Sequence, residues 1–139
     1  MRDTASEVPR EDFAPFLHRS VREGDVSLTL RGIYLREGLL WCSFLLQNDS
    51  RIDYTPDYMR AFIRDRRKMK RMAVQEIPLP VVYEQLPNRV TADSMQVINV
   101  AFTPFALGKD KLLVLQLAEK DGGRDLNLEI KSKTLLNIK

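Results

Sequence analysis

The clearest structural signal lies in residues 26–47, which read VSLTLRGIYLREGLLWCSFLLQ. Apolar and polar residues alternate as far as Leu30, which is the period-two pattern of a half-buried β-strand. Gly32 interrupts this alternation at a point where a β-bulge would cost little. The polar residues 36–38 then predict a tight hairpin turn in which Gly38 adopts a positive φ. The stretch therefore predicts two antiparallel strands.

The return strand of this hairpin has two faces of different composition. One face is wholly apolar and is predicted to lie in the core, whereas the other mixes aromatic, aliphatic and polar side chains. The predicted core face comprises Leu40, Cys42, Phe44 and Leu46, and the predicted outer face comprises Trp41, Ser43, Leu45 and Gln47. An outward tryptophan is either covered by the N-terminal segment or exposed as an anchor for a partner. Trp41 is therefore a candidate partner-binding residue.

Similar alternation recurs along the rest of the chain. The inward positions are predicted to be Met59, Ala61 and Ile63 on one strand and Ile98, Val100 and Phe102 on another. A strand predicted over residues 73–77 ends at Pro78, which with Pro80 suits a sheet edge or a crossover. About eight short strands with frequent turns predict an all-β, antiparallel, immunoglobulin-like β-sandwich over residues 23–139. Residues 1–22 are interpreted as a leader or linker with at most one helical turn.

Two finer predictions concern the later strands. Asp121-Gly122-Gly123 separates two alternating apolar runs, so Gly122 or Gly123 is expected to adopt a positive φ in a hairpin turn. Arg64 is expected to approach Glu76, or a neighbouring acid, across adjacent strands. A last strand is predicted over residues 134–138.

The composition is that of one globular domain. The chain has 139 residues, of which 44% are hydrophobic and 29% charged, so it can bury about two-thirds of its unfolded surface. No apolar run approaches the ~20 residues that span a bilayer, so no membrane span is expected. Residues 1–7 are polar and contain no hydrophobic core of a signal peptide. Cys42 is the single cysteine, which excludes an internal disulfide.

The residue types that most catalytic and metal sites require are scarce. His18 is the one histidine, and nothing in the pattern pairs it with Cys42, which falls on a core face. One histidine and one cysteine cannot form a zinc site, and neither an EF-hand nor a nucleotide-binding glycine motif is present. We therefore expect a protein that is not an enzyme and that needs no cofactor, metal ion or small-molecule substrate.

Positive charge is concentrated in residues 64–71, which hold six basic residues and one acid. The candidate partner-binding residues are Arg64, Arg66, Arg67, Lys68, Lys70 and Arg71, with Tyr58 and Phe62 on the preceding strand. Such a run could contact an acidic protein surface, phosphates or anionic headgroups, or could be a solvated edge that prevents aggregation. A duplex footprint would spread along a face, so the local field favours a protein partner.

Two other classes of function stay open at this point. The basic segment 64–71 could bind nucleic acid, with bases stacked on Phe62 or Tyr58. A carbohydrate-binding or adhesin-like sandwich would need an exposed aromatic platform, which Trp41 and Tyr58 could provide.

Five short phrases stand in an order that resembles the TraN family of Bacteroidetes conjugative-transposon proteins. They lie within a match of roughly 110 residues that starts near Val26 and runs to the C-terminus. They are Gly32-Ile33-Tyr34-Leu35, residues 46–54 (LQNDSRIDY), Ile63-Arg64-Asp65, Lys70-Arg71 with Gln75-Glu76, and Glu119-Lys120 with Gly122-Gly123-Arg124. The likeness covers only the C-terminal part of that family, whose members look like longer exported proteins.

The resemblance implies a structural role in a conjugative, type IV secretion-like DNA-transfer apparatus. It places such a domain in the cell envelope, in the periplasm or at the outer membrane, as a scaffold that binds other proteins of the apparatus. By a more distant likeness, to outer-membrane components of type IV secretion systems, one partner would be a small lipoprotein. The implied contacts are protein–protein interactions.

Overall fold

The computed structural model describes residues 19–66 and 76–132, and these ranges form nine β-strands. The strands are β1 (Arg19–Glu23), β2 (Val26–Arg36), β3 (Leu39–Asn48), β4 (Pro56–Asp65), β5 (Glu76–Leu79), β6 (Val81–Gln85), β7 (Ser94–Phe102), β8 (Lys111–Glu119) and β9 (Leu126–Lys131). Across the same ranges, no helix has the length and apolar character that a bilayer crossing requires.

Two antiparallel sheets make up the sandwich. The first has the strand order β1-β2-β3-β7-β6, and the second has the order β5-β4-β8-β9. The chain passes between the sheets after β3, β5 and β7. Tight hairpins join β1 to β2 and β2 to β3, and a longer hairpin joins β8 to β9. The predicted all-β, antiparallel sandwich is confirmed, with nine described strands where about eight were expected.

The core lies between the sheets and contains the predicted inward faces except for Ile63, which is only half-buried. Leu40, Cys42, Phe44 and Leu46 on β3 are buried, and so are Met59, Ala61, Ile98, Val100 and Phe102 on β4 and β7. β8 is central in its sheet and is apolar on both faces, while Leu126, Leu128 and Ile130 close the core from β9. Period-two alternation therefore predicted the register of the central strands.

Local backbone features at the first hairpin also agree with the sequence. The pairing of β2 with β3 shifts by one residue between Leu30 and Gly32, which is the bulge expected there. Glu37 and Gly38 both have positive φ, 56° and 75°, and form a two-residue loop between paired residues Arg36 and Leu39. This is the type I′ geometry that matches strand twist.

The two prolines mark the transfer from one sheet to the other. Pro78 lies inside β5, opposite Phe62, because an edge strand tolerates a missing N–H donor on its open side. The prediction that the strand ends at Pro78 was wrong, since β5 continues to Leu79. Pro80 follows at the crossover, and β6 then becomes the edge strand of the first sheet.

The structure corrects three further expectations. β1 begins at Arg19, inside the predicted leader, and its mostly polar, exposed residues gave no alternating signal. The positive φ of the last hairpin is at Asp121 (54°), rather than at Gly122 or Gly123. Ser43 faces outward as predicted but is only 3% exposed, because this small side chain lies beside larger covered neighbours. The predictions for residues 16–18, 73–75 and 134–138 fall outside the described residues.

Candidate interaction surfaces

Arg124 is the centre of a polar network at one end of the sandwich. Its Nε donates to both carboxylate oxygens of Glu119 at 3.1 Å, and its backbone N–H donates to Glu119 Oε1 at 3.0 Å. Nη1 donates to Ser50 Oγ at 3.0 Å, and Nη2 donates to the Asp53 carbonyl at 2.9 Å. The guanidinium lies 5.2 Å from the ring centroid of Tyr54, whose hydroxyl donates to the Arg124 carbonyl.

Asn48 extends this network to a third loop. Its Nδ2 donates to the carbonyls of Ile52 and Val90 at 2.9 and 3.0 Å, while its Oδ1 accepts from the backbone and hydroxyl of Ser50. Tyr54 and Val90 also form a two-way backbone bridge. We refer to Asn48, Ser50, Tyr54, Glu119 and Arg124 as the Arg124 network. It joins the β3–β4, β6–β7 and β8–β9 connections.

The electrostatics of the network follow from its burial. The Glu119 side chain is 8% exposed and that of Arg124 is 20% exposed. Hydrogen bonds from Arg124 hold the pKa of Glu119 below its usual range, and the same bonds raise the pKa of Arg124. Burial raises the pKa of Tyr54, helped by the charge of Glu119. All three groups therefore keep one protonation state near neutral pH, which suits a structural role.

Gly122 is required by the same network. A Cβ atom at this position would collide with the Glu119 carboxylate, whereas a Cβ at Gly123 would meet no atom. The adjacent glycines therefore differ in function, and Gly122 leaves the space in which Glu119 folds back toward Arg124. This space requirement explains a glycine that does not have a positive φ.

The described part of the basic run lies at the opposite end of β4. Asp65 forms an ion pair with Lys111, and Arg66 Nη1 donates to the carbonyl of Lys109 at 3.2 Å. The Arg66 backbone N–H also donates to the Asp110 carbonyl. We call residues 64–66 with residues 109–111 the basic end. Arg67, Lys68, Lys70 and Arg71 lie outside the described residues.

Arg64 does not form the predicted ion pair with Glu76. The two residues are paired in register, as expected for β4 and β5, but the Arg64 guanidinium binds Glu129 on β9. Glu76 instead lies 3.6 Å from Arg60. Arg64 and Glu129 face the same side of the sheet with β8 between them, so the arginine reaches an acid one strand further away.

The aromatic candidates are not gathered around the basic end. Phe62 is 3% exposed, packs with Leu112 and Val114, and has the Arg60 guanidinium 4.5 Å from its ring centroid. Tyr58 is 46% exposed but pairs with Ala118, near the Arg124 network. At about 3.3 Å per residue, roughly 26 Å of strand separates it from residue 66.

Trp41 is covered in the structure. It is 3% exposed, its ring centroid lies 5.3 Å from that of Tyr83, and its Nε1 donates to the Arg36 carbonyl. Tyr34 and Ala101 complete this small cluster on the outer face of the first sheet. Trp41 therefore does not present an open anchor. The alternative that the N-terminal segment covers it concerns residues outside the described ranges.

The described residues contain no group of three or more histidine, cysteine, aspartate or glutamate side chains that could hold a metal ion. Cys42 is fully buried, and this burial raises the pKa of its thiol, so the group stays protonated. His18 lies outside the described ranges.

Comparison with known families places the whole chain in one of them. Residues 1–139 match the family described as Domain of unknown function (DUF4138), and the chain belongs to that family. No curated protein matched the sequence. The phrases at residues 46–54 and 119–124, which carry part of the resemblance, are the two that Arg124 brings together in space. Local sequence gave no signal for this contact because about 70 residues separate Arg124 from its partners Ser50 and Asp53.

Proposed function

We propose that this domain is a structural component of a conjugative DNA-transfer apparatus, in which it serves as an interaction domain of a cell-envelope scaffold and not as an enzyme. The observation that carries the proposal is the convergence of residues 46–54 and 119–124 in the Arg124 network. The resemblance to the TraN family depends on these phrases, and their polar side chains have specific mutual contacts. Side chains with such contacts are expected to keep their identity in proteins that use the same fold in the same assembly.

The basic end is the surface that we propose for a partner protein. Arg66 is exposed at the end of β4, and residues 67–71 continue the positive charge along the chain. The proposed contact residues are Arg66, Arg67, Lys68, Lys70 and Arg71. The partners would be other proteins of the transfer apparatus, with a small lipoprotein as one candidate. An acidic protein surface matches this charge.

The charge distribution on the second sheet favours a protein over a nucleic-acid duplex. Arg60 is paired with Glu76, and Arg64 is paired with Glu129. These acids neutralise the two arginines that could have extended the positive field along the strand toward residue 58. A duplex footprint needs several cations aligned along one face, so the remaining field fits a compact contact.

Genetic complementation tests the proposal. Deletion of the chain from a conjugative element should abolish transfer to a recipient, and the full chain supplied in trans should restore it. Envelope fractionation of the same donor should recover the protein with other transfer components. Wild-type transfer by the deletion strain would refute the proposal. Tight binding of the purified domain to DNA that weakens steeply with added salt would favour the nucleic-acid alternative instead.

A further inference from the structure

The first sheet has an open corner beside β7. β6 pairs with β7 only from Asn99 to Phe102, although β7 begins at Ser94. Beyond Gln85 the chain leaves the sheet through Leu86 and Pro87, and no other described strand pairs with residues 94–98 on that side. A groove lined by Gln85, Leu86, Pro87, Gln96, Val97 and Asn99 lies at this position. We call the β7 edge at Ser94–Ile98, together with this groove, the β7 slot.

A comparable corner in the second sheet is closed. β5 pairs with β4 only from Ala61 to Arg64, which leaves the earlier residues of β4 without that neighbour. There the Glu84 carboxylate accepts a hydrogen bond from the Met59 backbone N–H at 3.2 Å. The Glu84 side chain thus occupies a backbone donor on the open edge of β4. An unpaired strand edge would otherwise offer such donors to other strands. Within the described ranges, no side chain acts in this way on residues 95–98 of β7.

The side chains at the β7 slot are suited to a strand. Met95 is 54% exposed and Val97 is 43% exposed, and both lie on the outer face beside the open edge. Asn99 stands where β6 ends, donates to Gln85 Oε1 at 3.0 Å, and leaves its own buried Oδ1 without a hydrogen-bond partner. All six residues that line the groove are uncharged. The slot therefore combines an open backbone edge, exposed apolar side chains and an unused acceptor.

We propose that the β7 slot accepts an extended, uncharged segment of a partner protein, which adds a strand of about five residues antiparallel to β7. Strand addition to an open edge draws affinity from main-chain hydrogen bonds and specificity from alternate side chains. The partner would place apolar side chains against Met95 and Val97. The inference adds a binding mode to the proposed function. It rests on that function only for the identity of the protein that supplies the segment.

The chain's own described edges fit the slot less well than a partner segment does. β1 carries Arg19, Arg22 and Glu23, β5 contains Pro78, and β9 carries Glu129 and Lys131. β6 is interrupted by a bulge between Val81 and Tyr83. Charges, prolines and bulges are the devices that discourage edge pairing. A second copy would have to offer one of these guarded edges, or its own β7 slot.

A binding experiment with a defined peptide tests the proposal without reference to DNA transfer. The probe is an acetylated and amidated heptapeptide of alternating threonine and valine, titrated into the isotope-labelled full chain and followed by amide exchange. We expect new protection at the alternate amides of residues 94–98 that do not face β3. Two isomers of the probe, N-methylated on alternate residues, distinguish its two edges. One isomer should keep its affinity and the other should lose at least about tenfold, because only one row of N–H groups faces β7.

Matched variants of the chain complete the experiment. Val97→Lys should weaken binding of the parent peptide at least about tenfold, because it places a charge beside the added strand. Ile77→Lys alters a similarly exposed apolar side chain on β5, and it should leave the affinity unchanged. Circular dichroism verifies that both variants are folded.

Several results would overturn the proposal. They are no binding at millimolar peptide, protection confined to β1 or β9, and equal behaviour of the two N-methylated isomers. Dimerisation of the chain through residues 94–98 without peptide would assign the slot to a second copy. The two proposals fail separately. Wild-type transfer by the deletion strain together with normal peptide binding would refute the proposed function alone, and loss of transfer on deletion without peptide binding would refute this inference alone.

Discussion

The two ends of the sandwich differ in how their charged residues are used. At the end that holds the Arg124 network, the cation is largely buried and bonded to Glu119, Ser50 and the Asp53 carbonyl. At the basic end, the Asp65–Lys111 pair is more than one-third exposed on both sides, and Arg66 donates to the loop carbonyls of Lys109 and Asp110. The contrast indicates that the Arg124 network holds the fold together, and it supports our proposal that the basic end contacts a partner.

The same difference shows that a sequence phrase can be distinctive for two reasons. Residues 119–124 are distinctive because each side chain has a defined position in the Arg124 network. Residues 64–71 are distinctive because charge is concentrated in them, and only their first three residues have described contacts. A substitution in the first phrase should therefore change stability, while a substitution in the second should change association.

The largest expected effect on stability concerns the core, which both ends of the sandwich share. Phe44 is fully buried between the two sheets. Replacing it with alanine leaves a large cavity, so Phe44→Ala should lower the free energy of unfolding by about 3–5 kcal/mol. Urea denaturation measures this loss. A loss close to zero would show that β3 does not pack in the core as described.

The next effect compares the two ends directly. Arg124→Met removes the cation from a carboxylate that is 8% exposed, and it should lower the free energy of unfolding by about 1.5–3 kcal/mol. Lys111→Met is the matched control at the basic end, where an exposed pair contributes about 0.2–1 kcal/mol. Urea denaturation of both variants decides between them. Equal losses at the two positions would remove the distinction between the ends.

The adjacent glycines provide a test within two residues. Gly122→Ala should displace Glu119 and lower the free energy of unfolding by about 1–3 kcal/mol, as crowding in a packed site does. Gly123→Ala meets open space and should be neutral or slightly stabilising. In a Glu119→Ala background the cost of Gly122→Ala should disappear. A cost that persists there would mean that Gly122 serves a purpose other than accommodating Glu119.

A smaller effect concerns acid stability. The pKa of Glu119 is lowered in the folded protein, so the unfolded chain takes up a proton first as the pH falls. The stabilisation by Glu119 is complete above the ordinary glutamate value of about 4.3, and it is lost as the pH falls through the folded value. Glu119→Gln should therefore show a shallower loss of stability in acid. Identical acid limbs for the two proteins would contradict the assigned ion pair.

The sequence predicted those parts of the fold that depend on the local sequence alone. Alternation on β3 predicted the buried face, Gly32 predicted the bulge, and Gly38 predicted the positive φ. Alternation identifies the face on which a side chain lies, but not whether that face is covered. For this reason the sequence left the cover of Trp41 open and did not predict the burial of Phe62 on an outer face.

The features that were missed depend on residues far apart in the sequence. β1 has only Val21 as an apolar residue among polar neighbours, and it becomes a strand because β2 offers an edge. Arg64 binds Glu129 because the sheet order places β9 two strands away. Each of these outcomes needs the assembled sheet.

The most direct test of the account reverses charge at the two ends and measures DNA transfer. The variant Arg66→Glu, Arg67→Glu, Lys68→Glu changes the basic end. The control Arg51→Glu, Arg89→Glu, Lys120→Glu makes the same change in charge near the Arg124 network. We expect the first variant to fold normally, to lose association with its partner components and to reduce transfer strongly, while the control transfers DNA normally. Normal assembly and transfer by the first variant, or an equal loss in the control, would contradict the claim that the basic end binds a partner.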